Sequence, residues 1–207
     1  MAPPFKKPLS PAPKSAATSD RGASSVKIIA GLWRGRVLRF PEVDGLRPTG
    51  NRIRETLFNW LAPILPGSCC LDAFSGSGAL GFEALSREAK EVVMLEPNAR
   101  ANQHLHANAQ LLAAQGCSIY GSRAEQWLAA PAQCCFDVVF IDPPFALNLW
   151  ADVLAKLEAN GWLAEGAFIY IETPKGHPLI VPAHWRMHRT KQAGNVTFAL
   201  YQRGSVN

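Results

Sequence analysis

Asp72-Ala73-Phe74-Ser75-Gly76-Ser77-Gly78-Ala79-Leu80-Gly81 is the stretch whose reading decides the fold. An apolar run, Cys69-Cys70-Leu71, leads into Asp72; glycines at 76, 78 and 81 follow, and a helix-forming segment begins between them. A strand that turns through glycines into a helix is the opening unit of a doubly wound sheet. The glycines let a ligand approach the backbone closely, and the helix start offers unpaired N–H groups. In such a sheet this turn sits at the carboxyl ends of the strands, where ligands bind.

Outward from this turn, strand and helix patterns alternate. Strands are predicted at 69–74, 91–96, 117–122, 136–142 and 166–172, and helices at 79–87, 98–114, 124–129 and 147–159. This alternation predicts a parallel sheet with helices on both faces. Segments 185–191 and 196–203 read as strands joined by Ala193-Gly194-Asn195, a hairpin signal that adds an antiparallel edge. Upstream, Val26–Ala30 and Arg36–Phe40 read as two short strands, with Gly31 and Gly35 bracketing a turn that carries Trp33 and Arg34. A helix over roughly 51–62 follows. Ile53, Leu57, Trp60, Leu61 and Ile64 form its core-facing stripe, with Arg52, Glu55 and Asn59 opposite.

The division expected is a disordered basic tail at 1–25, a hairpin and helix at 26–65, and the doubly wound domain at 66–207. The tail is rich in Pro, Ala, Ser and Lys and has too few large apolar residues to offset its ordering entropy. The 207 residues are 48% apolar, the composition of an ordinary globular protein. No apolar run reaches the roughly 18 residues of a membrane span, and residues 1–25 lack the apolar centre of a secretory signal. A cytoplasmic location with no membrane partner is expected. Five cysteines, none in C-x-x-C spacing, read as free thiols, so neither a metal site nor a structural disulfide is expected.

The net charge is +5. Lys6, Lys7, Lys14 and Arg21 against Asp20, then Lys27, Arg34, Arg36, Arg39, Arg47, Arg52 and Arg54 against Glu42, Asp44 and Glu55, place the whole excess in the first 60 residues. That asymmetry points to a polyanion-facing end on a nearly neutral body.

Gly76, Gly78 and Gly81 match G-x-G-x-x-G, and Glu96 follows Gly76 by twenty residues. Taken alone, this suits NAD as well as S-adenosyl-L-methionine, because both carry an adenosine whose ribose hydroxyls favour a carboxylate there. Asp72 argues for the second, since a carboxylate before the loop repels a pyrophosphate but suits an ammonium group. The fourth strand, Phe136–Ile141, ends in Asp142-Pro143-Pro144-Phe145. Two prolines stop the strand and fix the backbone. An aryl amine is a poor nucleophile because its lone pair is delocalised into the ring. The Asp142 carboxylate and the Pro143 carbonyl can hold both N–H bonds and free that lone pair for in-line attack, while Phe145 can stack on the base.

The glycine loop together with Asp142-Pro143-Pro144-Phe145 resembles the amino-methyltransferases of nucleic acids. Arg47-Pro48-Thr49, Arg52, Arg54-Glu55-Thr56-Leu57-Phe58-Asn59-Trp60-Leu61, with Gly31, Trp33-Arg34-Gly35-Arg36 and Asn160-Gly161-Trp162-Leu163, narrow the resemblance to the RsmD family over about 26–203. The family methylates a guanine N2 amine of bacterial small-subunit (16S) ribosomal RNA. The resemblance implies a Rossmann-like class I methyltransferase with a seven-strand, mostly parallel sheet, and a substrate already bearing ribosomal proteins. Carried over by position, it implies that Asp72, Phe74, Ser75, Gly76, Gly78 and Leu80 surround the methionine part of S-adenosyl-L-methionine. Glu96 would hold the ribose and Ala124 would lie near the adenine. Catalysis falls to Asp142, Pro143, Pro144 and Phe145, and RNA contacts to Arg34, Arg36, Arg47, Arg52 and Arg54. The competing readings are an adenine-N6 methyltransferase of DNA or RNA, an NAD-dependent oxidoreductase, and a non-catalytic RNA-binding assembly factor.

Overall fold

The computed structural model describes residues 23–41 and 50–205. Seven strands form one sheet: β3 (Cys69–Asp72), β4 (Glu91–Leu95), β5 (Cys117–Tyr120), β6 (Phe136–Ile141), β7 (Leu163–Pro174), β8 (Trp185–Ala193) and β9 (Val196–Arg203). Their order is β5-β4-β3-β6-β7-β9-β8. The first five run parallel, and β9 pairs antiparallel with both β7 and β8, which is the mostly parallel α/β sheet with an antiparallel hairpin that the alternation predicts. The chain reverses its direction of travel across the sheet between β3 and β6, so a crevice opens beyond their carboxyl ends.

Among the described residues, five helices cover the two faces: α1 (Asn51–Leu61), α2 (Ala79–Ser86), α3 (Ala99–Leu112), α4 (Ala124–Trp127) and α5 (Trp150–Ala159). Strand residues alternate between faces, so β6 sends Val138 and Phe140 to one side and Val139 and Ile141 to the other. The first side packs against α1, α2 and α3 through residues such as Phe58, Phe82 and Leu105. On the second, α4 and α5 pack through Ala124, Trp150 and Leu154.

The upstream strands are β1 (Ala23–Lys27) and β2 (Val37–Pro41), an antiparallel pair separate from the main sheet. β1 starts earlier than expected: residues 23–25, read as tail, pair with 39–41. Ile29 and Ala30, read as strand, instead enter the turn, where their N–H groups bond to a side chain rather than to a ladder. Residues 1–22 of the basic tail and Arg47-Pro48-Thr49 lie outside the described residues.

The side chain that holds this turn is Glu83 of α2, which is fully buried. Its oxygens accept from Ile29 N–H at 2.7 Å, Ala30 N–H at 3.0 Å and Arg87 Nε at 2.8 Å. One turn on, Ser86 Oγ accepts from Trp33 N–H at 2.9 Å and donates to the Ala30 carbonyl at 2.6 Å. Gly31 makes the close approach possible: its φ is +79°, and a Cβ there would lie 1.7 Å from the Ser86 carbonyl oxygen. Val26, Ile28, Leu38 and Phe40 share the core of the α1–α3 side, so the hairpin is seated on the helix that begins at the glycine loop.

Candidate active site

Four strand ends converge on the crevice. Asp72 closes β3 and is paired with Phe140 of β6. Two residues past Phe140, Asp142 continues beyond the end of β6 on the same face as Asp72. Glu96 directly follows β4, and Ala124 opens α4 two residues after Ser122, beyond the end of β5.

The glycine loop is locked from within. The Ser75 hydroxyl donates to the Asp72 carbonyl at 2.9 Å, Ser75 N–H reaches the Leu95 carbonyl at 3.0 Å, and Gly78 N–H the Ser75 carbonyl at 2.7 Å. Gly76 and Gly78 have φ of +48° and +77°, conformations that favour glycine. A Cβ on Gly78 would also lie 2.6 Å from the Phe82 ring. Leu80 is buried in the first turn of α2, and Phe74 is half-buried against the α5-side core.

Two carboxylates brace this loop. Asp72 Oδ2 accepts from Gly81 N–H at 3.0 Å, inside α2. Glu96 accepts from Gly76 N–H at 3.0 Å and from Asn98 N–H at 2.7 Å, tying the loop to the start of α3. Burial pushes the Asp72 carboxyl up to about 7; the N–H groups of Gly81 and Phe74 oppose this, while Asp142 and Glu96 add to it. Glu96 is raised by burial against the pull of the Asn98 and Gly76 N–H groups. A negative crevice with a glycine-lined floor suits a ligand that brings its own positive charge and an adenosine for the β4-end carboxylate.

Around Asp142-Pro143-Pro144-Phe145, Asp142 is partly exposed, Pro143 buried, and Pro144 and Phe145 exposed. Phe145 opens a single 3-10 turn, Phe145–Leu147. Its ring is 36% exposed and lies 5.8 Å from that of Trp150, so it is no core aromatic. Trp150 is buried, with Nε1 donating to the Glu172 carbonyl at 2.9 Å and the His177 ring at 4.5 Å. Below lies a further buried carboxylate, which the sequence pattern alone does not single out. Glu172 is 3% exposed, and its Oε1 accepts from the Tyr170 hydroxyl at 2.7 Å. Burial, Glu172 and Asp142 together hold the Tyr170 hydroxyl far above its ordinary value. The pairing of Ile141 with Ile171 sets Asp142 beside Glu172, and the β-strand alternation of Tyr170 and Glu172 was the signal available.

The arginines separate into two kinds. Arg34, Arg36 and Arg52 are exposed, Arg36 donating to the Leu111 carbonyl at 3.1 Å. Arg54 is 1% exposed, and its guanidinium faces inward. It donates to the Lys27 carbonyl at 2.9 Å and to Asn51 Oδ1 at 2.7 Å, and lies 3.6 Å from Glu83. The expected phosphate contact is corrected here, because these donors are spent inside the protein. Burial lowers the Arg54 pKa, and Glu83 opposes that shift. Trp33 is half-buried on the α1-side core.

The five cysteines carry free thiols, and burial pushes Cys70 and Cys117 up to about 12. Among the described residues no helix is long and apolar enough to cross a membrane.

The family model described as Conserved hypothetical protein 95 matches residues 26–202. Ribosomal RNA small subunit methyltransferase D of Escherichia coli K12 is 46% identical over 183 residues, 88% of this chain and 92% of that protein. The protein of the same name from Haemophilus influenzae is 48% identical over 180 residues, covering 86% and 93%. The solved structure of Escherichia coli yhhF superposes with a TM-score of 0.81 at 45% identity, over 88% of this chain and all of that one. A fold, a crevice and a sequence that agree over this length leave one assignment: the chain belongs to the RsmD family of methyltransferases, whose model carries the description Conserved hypothetical protein 95.

Proposed function

We propose that this protein transfers a methyl group from S-adenosyl-L-methionine to the exocyclic N2 amine of a guanine in small-subunit ribosomal RNA, in the cytoplasm, with assembled or partly assembled particles as substrate. The observation that carries the reading is the juxtaposition of the glycine loop and Asp142 on adjacent strands, Asp72 being paired with Phe140. The names of the relatives support the RNA substrate.

When bound, S-adenosyl-L-methionine supplies an electrophilic methyl group on a sulfonium. The buried Asp72 attracts the ligand's ammonium group, Glu96 accepts from its ribose hydroxyls, and Phe74, Ser75, Gly76, Gly78 and Leu80 shape the floor beneath its methionine part. Ala124 borders the adenine. Asp142 and the Pro143 carbonyl accept the two amine N–H bonds, which holds the amine and leaves its lone pair aimed outward. As nitrogen becomes cationic, the Asp142 carboxylate offsets the charge, and the proton that the methylated nitrogen gives up passes to this carboxylate and on to water. Pro144 keeps the backbone rigid, and Phe145 stacks on the extruded base, with Trp150 fixing its position. Arg34, Arg36, Arg47 and Arg52 contact phosphates, whereas Arg54 seats the hairpin that presents the first two.

Single-turnover methylation of small-subunit RNA by Asp142→Ala tests the reading. A loss of about 100- to 1000-fold in rate is expected, with cofactor affinity nearly unchanged. Asp142→Asn, which keeps an acceptor, retains more activity than Ala. Near wild-type turnover in Asp142→Ala would remove the carboxylate from the mechanism. Nucleoside mapping of the product separates guanine N2 from adenine N6.

A further inference from the structure

The last hairpin presents a run of cations that net charge conceals. β8 reads Trp185-Arg186-Met187-His188-Arg189-Thr190-Lys191-Gln192-Ala193: three formal positive charges, one histidine and no acid. It is the edge strand of the sheet, and Arg186 through Gln192 are all exposed. None of the three cations has an ion-pair partner among the described residues.

Regular alternation would divide these cations between the two faces of the sheet. The register does not permit that. Arg186 pairs with Gln202, the ladder slips between Met187 and Arg189, and then Arg189 pairs with Leu200 and Lys191 with Phe198. Directly paired residues share a face. Leu200 and Phe198 belong to the core beneath α1, and Ala199 and Tyr201 to the opposite core. The bulge therefore turns Arg186, Arg189 and Lys191 toward one side, the side of α1 and the hairpin. The extra residue, His188, lies edge-on to Phe168 at 5.5 Å, on that same side.

This strip continues onto α1. Trp60 stacks on Phe198 at 5.5 Å, which sets α1 across the end of the hairpin. Between them runs a groove of about 320 Å³, with Arg52 and Thr56 on one wall and Lys191 and Gln192 on the other. Charged edge strands also serve to block pairing with other chains. That purpose is met by either sign of charge on either face. It does not account for an all-positive set gathered on one face and aligned with Arg52.

We propose that Arg186, Arg189 and Lys191 form, with Arg52, a second binding strip for the sugar–phosphate backbone of the substrate RNA, at the β8 edge of the sheet face that also carries α1. Arg189 and Lys191 stand two residues apart, about 6.6 Å along the strand, which lets each take a separate phosphate. Arginine's fork and lysine's mobile ammonium both suit phosphate oxygens. The proposal rests on RNA being the substrate.

The test compares wild type, R186Q/R189Q/K191Q and R52A, using in vitro transcribed small-subunit RNA and unmethylated small-subunit particles. For the triple variant, RNA affinity falls at least tenfold, and the slope of log affinity against log salt flattens by about two units for three lost phosphate contacts. KM for RNA rises, while kcat, S-adenosylhomocysteine affinity and thermal midpoint stay as in wild type. R186K/R189K, which keeps the charge, retains most of the affinity. Unchanged RNA affinity in the triple variant, with R52A weakened, overturns the strip and leaves the substrate reading standing. Binding lost on particles but kept on naked RNA overturns it too, because the partner is then a ribosomal protein. If wild type neither binds nor methylates either RNA, the substrate reading itself fails.

Discussion

Glu83→Gln is the substitution that most directly probes how the N-terminal hairpin is joined to the helix that follows the glycine loop. Glutamine keeps the shape of the side chain but replaces one acceptor oxygen by a donor. In wild type one oxygen serves Ile29 N–H and faces Arg54, while the other serves Ala30 N–H and Arg87 Nε. Whichever way the amide turns, one buried N–H and one guanidinium meet a donor instead of an acceptor. An orphaned buried donor costs about 1–3 kcal/mol. Removing one partner of a buried ion pair costs about 3–5 kcal/mol, and Arg54, at 1% exposure, cannot turn to water. These costs overlap, so a loss of about 4 kcal/mol is expected, a large share of a typical 5–15 kcal/mol stability. For a chain of this size that lowers the thermal midpoint by roughly 10 °C. Urea titration followed by circular dichroism measures it, with the exposed Glu55→Gln as a control expected within about 0.5 kcal/mol of wild type. A loss below about 1 kcal/mol for Glu83→Gln would refute the argument that this carboxylate anchors the hairpin.

Asp72 makes stability fall with pH. Its carboxyl titrates near 7 when folded against 3.8 when free, so the folded chain holds the proton more tightly. That contribution is complete below about pH 4 and is lost as pH rises through 7. Asp72→Asn should therefore be more stable than wild type at pH 8 and similar at pH 4, and equal urea midpoints at both pH values would count against it. Gly31→Ala and Gly35→Ala separate backbone strain from contact, because both positions have φ near +80° but only Gly31 faces an atom, the Ser86 carbonyl. Gly35→Ala should cost about 1–2 kcal/mol and Gly31→Ala clearly more; similar denaturation midpoints would remove the close approach from the account. Arg52→Ala should weaken RNA binding without changing stability and Arg54→Ala should do the reverse, read by salt-dependent binding and thermal melting side by side.

The sequence revealed the elements that have a periodic pattern, and the glycine loop marked the opening unit of the doubly wound sheet. The strand at 69, the helices at 79 and 99, and the terminal hairpin all stand within a few residues of their expected bounds. Arg54 was harder, although its spacing was informative. It precedes Leu57, Phe58 and Leu61 by three, four and seven residues, the spacing of the buried face. A cation can occupy that face only because Glu83, on another helix, meets it there. Local pattern carries no such information. The β8 bulge is a similar case, since a register slip depends on the partner strand and not on the strand that slips. Glu172 is the last residue of the strand expected at 166–172, and its place beside Asp142 follows from β6–β7 pairing.

The position of β9 imposes an order of assembly. It lies between β7 and β8, yet among the described strands it is the last in the chain. During synthesis, β7 emerges with one edge paired to β6 and the other open. β8 cannot close that edge, because its place is one strand further out. Until residues 196–203 arrive, the edge of a strand as apolar as Phe168–Ile171 stays available to other chains. A polypeptide stopped short of β9 would therefore expose a sticky intermediate rather than a smaller version of the enzyme. The residues proposed for catalysis are all synthesised by then, but the edge of β7 beside them is covered only when β9 arrives.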